Sequence, residues 1–164
     1  MTSPQRQEPS AHAPANPLHP SRVLPAGSAL DQARVVFANE HAASERVQDA
    51  IIEAMDRHAF GKASRFAVRL ALAEGIANAF KHGHKHLPPT ATITMEFSVS
   101  SSRVVVTIED QGPGFKVEDV PDPTLDENVE RTSGRGIMLI RAYMTSITHN
   151  AKGNRVEMVY TKPA

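Results

Sequence analysis

The sequence predicts an α/β protein: an α+β two-layer sandwich in which a mixed, mostly antiparallel sheet carries helices on one face. Three observations predict it. Segments with a helical apolar period are interspersed with segments of strict apolar–polar alternation. Neighbouring alternating segments are separated by short turns, which joins them as hairpins. Apolar residues make up 40% and charged residues 22% of the 164-residue chain, a globular balance at the length of one domain.

Composition also excludes function classes. Lys+Arg and Asp+Glu both number 18, a formal net charge of +0, so no direct nucleic-acid binding and no membrane surface are expected. Cysteine is absent, which removes disulfides, thiol redox chemistry and Cys-based zinc sites. No apolar run approaches the roughly 20 residues of a membrane span. The N-terminus carries no apolar signal-peptide core, so the expected compartment is the cytoplasm.

Pro4, Pro9, Pro14, Pro17, Pro20 and Pro25 mark residues 1–25 as a disordered Pro-rich tail. Residues 26–164 are then the folded domain. Ala33 to Phe37 reads as a strand. Val47, Ala50, Ile51, Ala54, Met55 and His58 recur on one face of a helix over about Ser44 to His58. Gly61 suits a helix stop, and Ser64 can cap the next helix.

That second helix, about Arg65 to His82, is the most informative stretch. Phe66, Leu70, Ala73, Ala77 and Phe80 form one apolar row, and Val68, Leu72, Ile76 and Ala79 form another, which predicts a largely buried helix. Glu74 and Asn78 interrupt it, four residues apart on one face, and Lys81 and His82 extend that stripe. A carboxylate and an amide in such a helix need partners.

Ile93, Met95, Phe97 and Val99 alternate with polar residues in a strand. After a serine turn, a second strand from Val104 to Glu109 completes a hairpin. Asp110-Gln111-Gly112-Pro113-Gly114-Phe115 then breaks the pattern. Residues 116–133 form a loop dominated by acids (Glu118, Asp119, Asp122, Asp126, Glu127 and Glu130), and a loop of that length suits a lid. Ser133-Gly134-Arg135-Gly136 leads into an apolar helix from Ile137 to about Thr145. A last hairpin pairs Ser146–Asn150 with Arg155–Thr161 across Lys152-Gly153-Asn154.

Taken singly, each polar interruption admits a structural role: a satisfied buried pair at Glu74 and Asn78, an ordinary turn at Gly112 and Gly114, a flexible loop end at Gly134 and Gly136. Together they have a more specific chemistry. Glycine turns let backbone approach a ligand closely. A glycine turn feeding a helix N-terminus presents N–H groups to phosphate, and Arg135 adds a cation there. An asparagine carbonyl beside phosphate oxygens can ligate Mg²⁺. A carboxylate one helical turn away can accept a proton from an attacking hydroxyl. An aspartate leaving a strand can accept a hydrogen bond from an exocyclic amine, as on adenine. There is no P-loop, no dinucleotide fingerprint and no ordinary protein-kinase signature.

The stretch Glu74-Gly75-Ile76-Ala77-Asn78-Ala79-Phe80-Lys81-His82-Gly83 resembles the N-box of the GHKL ATP-binding fold, the Bergerat type. Asp110 to Phe115 resembles its G1 box, and Ser133-Gly134-Arg135-Gly136-Ile137 its G2 box, in matching order. The resemblance runs from about residue 30 to the C-terminus. Within the superfamily the chain is most similar to the stand-alone anti-sigma-factor serine/threonine kinases.

That resemblance implies ATP and Mg²⁺ as cofactors, Glu74 as general base and Asn78 as metal ligand. It implies that Asp110 reads the adenine amine, that Gly112, Gly114 and Phe115 shape the turn beside it, and that Ser133, Gly134, Arg135, Gly136 and Ile137 surround the phosphates. Lys81 and His82 are placed on the phosphate side by inference. The lid departs from expectation: it is acidic and carries Pro121 and Pro123, so Mg²⁺ and Arg135, with Arg131, have to offset its charge.

The implied function is phosphoryl transfer to a small anti-anti-sigma (STAS-type) protein, by a kinase that also holds a sigma factor and forms a homodimer. The alternative is a module that sequesters a partner without transfer, with nucleotide or without it. A histidine-kinase piece would lack its phosphoacceptor helix, and a gyrase-like or chaperone ATPase would need further domains. In an extended segment His82, His84 and His86 would share a side and could meet a metal, but a solvated loop ahead of Pro88-Pro89 is preferred, since no carboxylate follows closely.

Overall fold

Alternation builds the sheet and its inner face. In the computed structural model, which describes residues 31–115 and 135–163 (backbone alone for Arg135 and Ile137), the strands are β1 (Gln32–Ala38), β2 (Thr92–Val99), β3 (Arg103–Glu109), β4 (Ser146–His149) and β5 (Arg155–Thr161). They lie in the order β1-β2-β3-β5-β4. Every described pairing is antiparallel, so the parallel component expected of a mixed sheet is not present among the described residues. Each strand follows its spatial neighbour by a hairpin or returns across the helices, and neither route here brings two strands in the same direction side by side. The expected tail over 1–25 and the lid over 116–133 lie outside the described residues.

One face of this sheet is apolar. Val35, Phe37, Ile93, Met95, Phe97, Val104, Val106, Ile108 and Met158 are buried there. The helices α1 (His41–Arg57) and α2 (Lys62–Asn78) cover that face, and α3 (Arg135–Tyr143) packs beside α2. Val47, Ile51 and Met55 of α1 and Val68, Leu72 and Ile76 of α2 complete one core. Each fully buried aliphatic side chain there contributes about 1.5–3 kcal/mol. The opposite face of the sheet is polar and carries ion pairs such as Arg34–Glu96 at 3.3 Å and Arg155–Glu109 at 3.4 Å.

Four details differ from the sequence reading. α1 starts a turn before Ser44, whose hydroxyl instead accepts a bond from Gln48 Nε2 at 3.1 Å inside the helix. Gly61 does not stop it. The stop is Ala59, in the left-handed region at φ 56, with the Ala59 N–H bonded to Asp56 C=O and the Phe60 N–H to Met55 C=O, both at 2.9 Å. Ser64 does not cap α2, because Gly61 holds the N-cap position. Ser64 is buried within the helix, and its hydroxyl accepts a bond from Tyr160 Oη at 2.8 Å. Finally, only one apolar row of α2 is buried. Phe66 is 64% exposed, and Ala73 and Ala77 are exposed as well. A single sheet can cover one side of a helix, and α2 turns its Val68–Leu72–Ile76 side to it.

Left-handed backbone costs an L-residue about 1–2 kcal/mol, while glycine loses more chain entropy on folding. Ala59→Gly is therefore expected to raise stability by about 0.5–1 kcal/mol in urea unfolding. A loss of stability would show that the turn is not strained.

Candidate functional site

Glu74 and Asn78 lie on the last turns of α2, each half-buried. The first turn of α3 comes directly against them. A methyl group on Gly136 would overlap Glu74 Oε2 and stand 3.5 Å from Asn78 Nδ2. A side chain at position 136 would therefore displace the Glu74 carboxylate from this place. The approach puts a carboxylate and an amide at the positive end of a helix, where unsatisfied N–H groups favour anions. The backbones of Arg135 and Ile137 belong to that same turn, whereas Ser133 and Gly134 lie outside the described residues.

The second cluster forms where α2 ends. The chain widens into a π-helical turn, Ala79–Gly83, closed by the bond from His84 N–H to Ala79 C=O at 3.1 Å. This turn carries Lys81 and His82 into solvent, and it delivers Gly83 to Asp110. A methyl group on Gly83 would overlap the Asp110 carboxylate, and one on Gly112 would overlap Gly83 C=O. Asp110 Oδ1 accepts the Gly112 N–H at 2.7 Å, which closes a tight aspartate turn at the end of β3. Burial raises the Asp110 carboxyl above its ordinary value; the Gly112 hydrogen bond and the positive charge of Lys152 oppose that without cancelling it.

The β4–β5 turn holds the cluster from the other side. Asp110 N–H donates to Asn154 C=O at 2.9 Å, and Asn154 Nδ2 donates to Asp110 C=O at 2.8 Å. Asn150 Oδ1 accepts the N–H groups of Gly153, Asn154 and Arg155, so the turn is rigidly closed. Gly114 and Gly153 both take φ 78 and pack backbone to backbone with Lys152 and Phe115. The Phe115 ring meets His149 edge-on at 5.5 Å between centroids. Burial, with Arg141 nearby, lowers the His149 imidazole below its ordinary value.

Of the residues singled out in the sequence, the fold gathers Glu74, Asn78 and Gly136 in one cluster and Asp110, Gly112, Gly114 and Phe115 in another, joined by the end of α2. Lys81 and His82 are exposed and take no described part in either. His82, His84 and His86 do not alternate along an extended segment, because the chain is helical and then turns there. Gly83, His84, Gln111, Asn150 and Asn154 carry contacts in the site that the sequence reading did not assign. Asn150 and Asn154 bracket a Lys-Gly turn, and that spacing was the available signal.

A family model, the histidine kinase-like ATPase domain, matches residues 29–160. The chain belongs to this family. Among curated relatives, the serine-protein kinase RsbW of Staphylococcus epidermidis is 30% identical over 98 residues, which is 56% of this chain and 62% of that protein. RsbW of Staphylococcus aureus strain bovine RF122 / ET3-1 is 28% identical over 86 residues, 49% of this chain and 54% of that protein. The chain thus spans less than two thirds of the length of these relatives. For the histidine kinase-like ATPase domain described here, no helix among the described residues is long and apolar enough to cross a membrane.

Proposed function

We propose that the protein is an ATP-dependent serine/threonine kinase that acts as an anti-sigma factor, phosphorylates a small STAS-type anti-anti-sigma protein and binds a sigma factor when that antagonist is absent. The observation that carries this reading is the contact of Glu74 and Asn78 with Gly136 at the start of α3. It combines a proton acceptor, a neutral oxygen ligand and a helix N-terminus within one small volume. The relatives' name, serine-protein kinase, agrees with it.

The donor set fits Mg-ATP. The α3 N-terminus suits phosphate, the Asn78 amide oxygen suits a hard cation, and the Gly83–Gly112 contact leaves Asp110 at the rim of a glycine-lined turn. Bound Mg²⁺ would neutralise phosphate charge. Asn78 would hold it, and the G2 residues Ser133, Gly134, Arg135, Gly136 and Ile137 would surround the phosphates. Asp110 would accept the adenine amine, with Gly112, Gly114 and Phe115 shaping its surroundings. Glu74 would take the proton of the attacking serine hydroxyl, the one step here that needs a base. A module that only sequesters a partner has no use for that carboxylate. A homodimer in the cytoplasm, with the domain at 26–164 behind a Pro-rich tail, completes the proposal.

Calorimetric titration with ATP tests it, with and without Mg²⁺, beside Asn78→Ala. Binding is expected to require Mg²⁺ and to weaken about tenfold or more in the variant, since a contact to charge is worth about 1.5–3 kcal/mol. Absence of binding by the wild type would instead identify a nucleotide-free interaction module.

A further inference from the structure

We propose that His84 is a positioning residue that orients Asp110 and thereby sets the preference for adenine over guanine; this rests on the nucleotide-site reading above. The argument concerns one peptide unit, Asp110–Gln111. Its carbonyl accepts from Asn154 Nδ2 at 2.8 Å. Its N–H donates to His84 Nε2 at 3.3 Å. Both polar ends of the unit are therefore held, by different elements.

The plane of this peptide follows directly on the Cα that bears the Asp110 side chain. Asp110 N–H is already fixed on Asn154 C=O at 2.9 Å, and Gln111 Oε1 accepts Thr92 N–H at 3.1 Å. Asp110 Oδ1 is held in turn by the Gly112 N–H at 2.7 Å, the amide that follows Gln111. His84 steadies the Gln111 N–H; without that acceptor residue 111 would shift and carry the Gly112 N–H, and the carboxylate bonded to it, out of place.

His84 is itself held in place. The π-helical turn Ala79–Gly83 brings it back over Phe80, whose ring it meets edge-on at 5.3 Å, and Phe80 in turn meets Phe37 at 6.1 Å. Lys81 and His82, on the same turn, face solvent instead. To accept the Gln111 N–H, Nε2 must carry a lone pair, which places the proton of the neutral ring on Nδ1. An ammonium, a guanidinium or an apolar side chain cannot replace it; a glutamine oxygen can.

The test compares His84→Phe, which keeps a ring over Phe80 without an acceptor, with His84→Gln, which keeps an acceptor. ATP and GTP affinities are measured by calorimetry on the full chain. His84→Phe is expected to weaken ATP about tenfold, the worth of one hydrogen bond to a charged site, while GTP changes less than about twofold. His84→Gln is expected to restore most of the ATP affinity. An unchanged ATP/GTP ratio in His84→Phe, equal loss of both nucleotides, or no rescue by glutamine would overturn the proposal. Nitrogen NMR of the wild type at alkaline pH gives an independent reading that needs no variant: the Nδ1–H tautomer is expected, and the Nε2–H tautomer overturns it. A wild type that binds neither nucleotide would defeat the underlying site reading, while the tautomer would still report on the His84–Gln111 bond.

Discussion

Glu74→Gln is expected to lower phosphoryl transfer to the antagonist protein by about 10²–10⁴-fold, the usual range for a positioned general base. The substitution keeps the length and shape of the side chain but removes its charge and its capacity to take a proton. ATP binding should survive, because Glu74 Oε2 sits against Gly136, at the helix end proposed for phosphate. Removing a negative charge there relieves repulsion, so affinity should be unchanged or modestly tighter. The apo protein should lose at most about 0.3–1 kcal/mol, the worth of a carboxylate near a helix N-terminus. Transfer is followed with labelled γ-phosphate in single turnover, which separates chemistry from binding. Transfer at the wild-type rate would remove Glu74 as the base.

Asp110→Asn should separate stability from binding. The asparagine oxygen can still accept the Gly112 N–H, so the turn at the end of β3 should survive. Its amide replaces one acceptor with a donor, which faces the adenine amine unfavourably. ATP affinity should fall by about 10–100-fold and GTP affinity less, as expected when a buried polar contact is lost. Stability should move the other way. The folded-state carboxyl lies above its ordinary value of 3.8 through burial, so ionisation penalises the folded state at neutral pH. That penalty is full above the raised value and vanishes below the unfolded one. Asp110→Asn removes it, and the apo melting temperature at pH 7 should be unchanged or higher. In the wild type, ATP affinity should decline on acidification sooner than an ordinary aspartate would allow, and the variant should lack that step. A variant with lower apo stability and unaltered ATP affinity would place Asp110 in the fold rather than in the site.

Most elements were legible because their cause is local. Alternation at Ile93–Val99 and helical spacing at Val47–Met55 each identify a buried face without reference to anything distant. The N-box, G1 and G2 segments were legible for a different reason: Glu74 and Asn78 interrupt an apolar helix, and glycines gather where strands end. What misled was also specific. Gly61 looked like a stop, yet the left-handed position fell on Ala59, because the Met55–Phe60 bond closes the turn two residues earlier. Two apolar rows on α2 predicted a largely buried helix, but how many sides of a helix are covered depends on its neighbours.

The sequence by itself determined the α/β class, the core faces and which residues were candidates for chemistry, because propensity, period and side-chain type act over a few residues. Only the tertiary structure decided which candidates meet. It set Gly136 against Glu74 and Asn78, closed Gly83 on Asp110, and left Lys81 and His82 in solvent. It also recruited His84 and Asn154, whose side chains bond Gln111 and Asp110 across the fold, and one π-helical turn. Such contacts join segments far apart in the chain, so no local pattern encodes them. They depend on where the packed layers bring a side chain within about 3 Å of a distant backbone group.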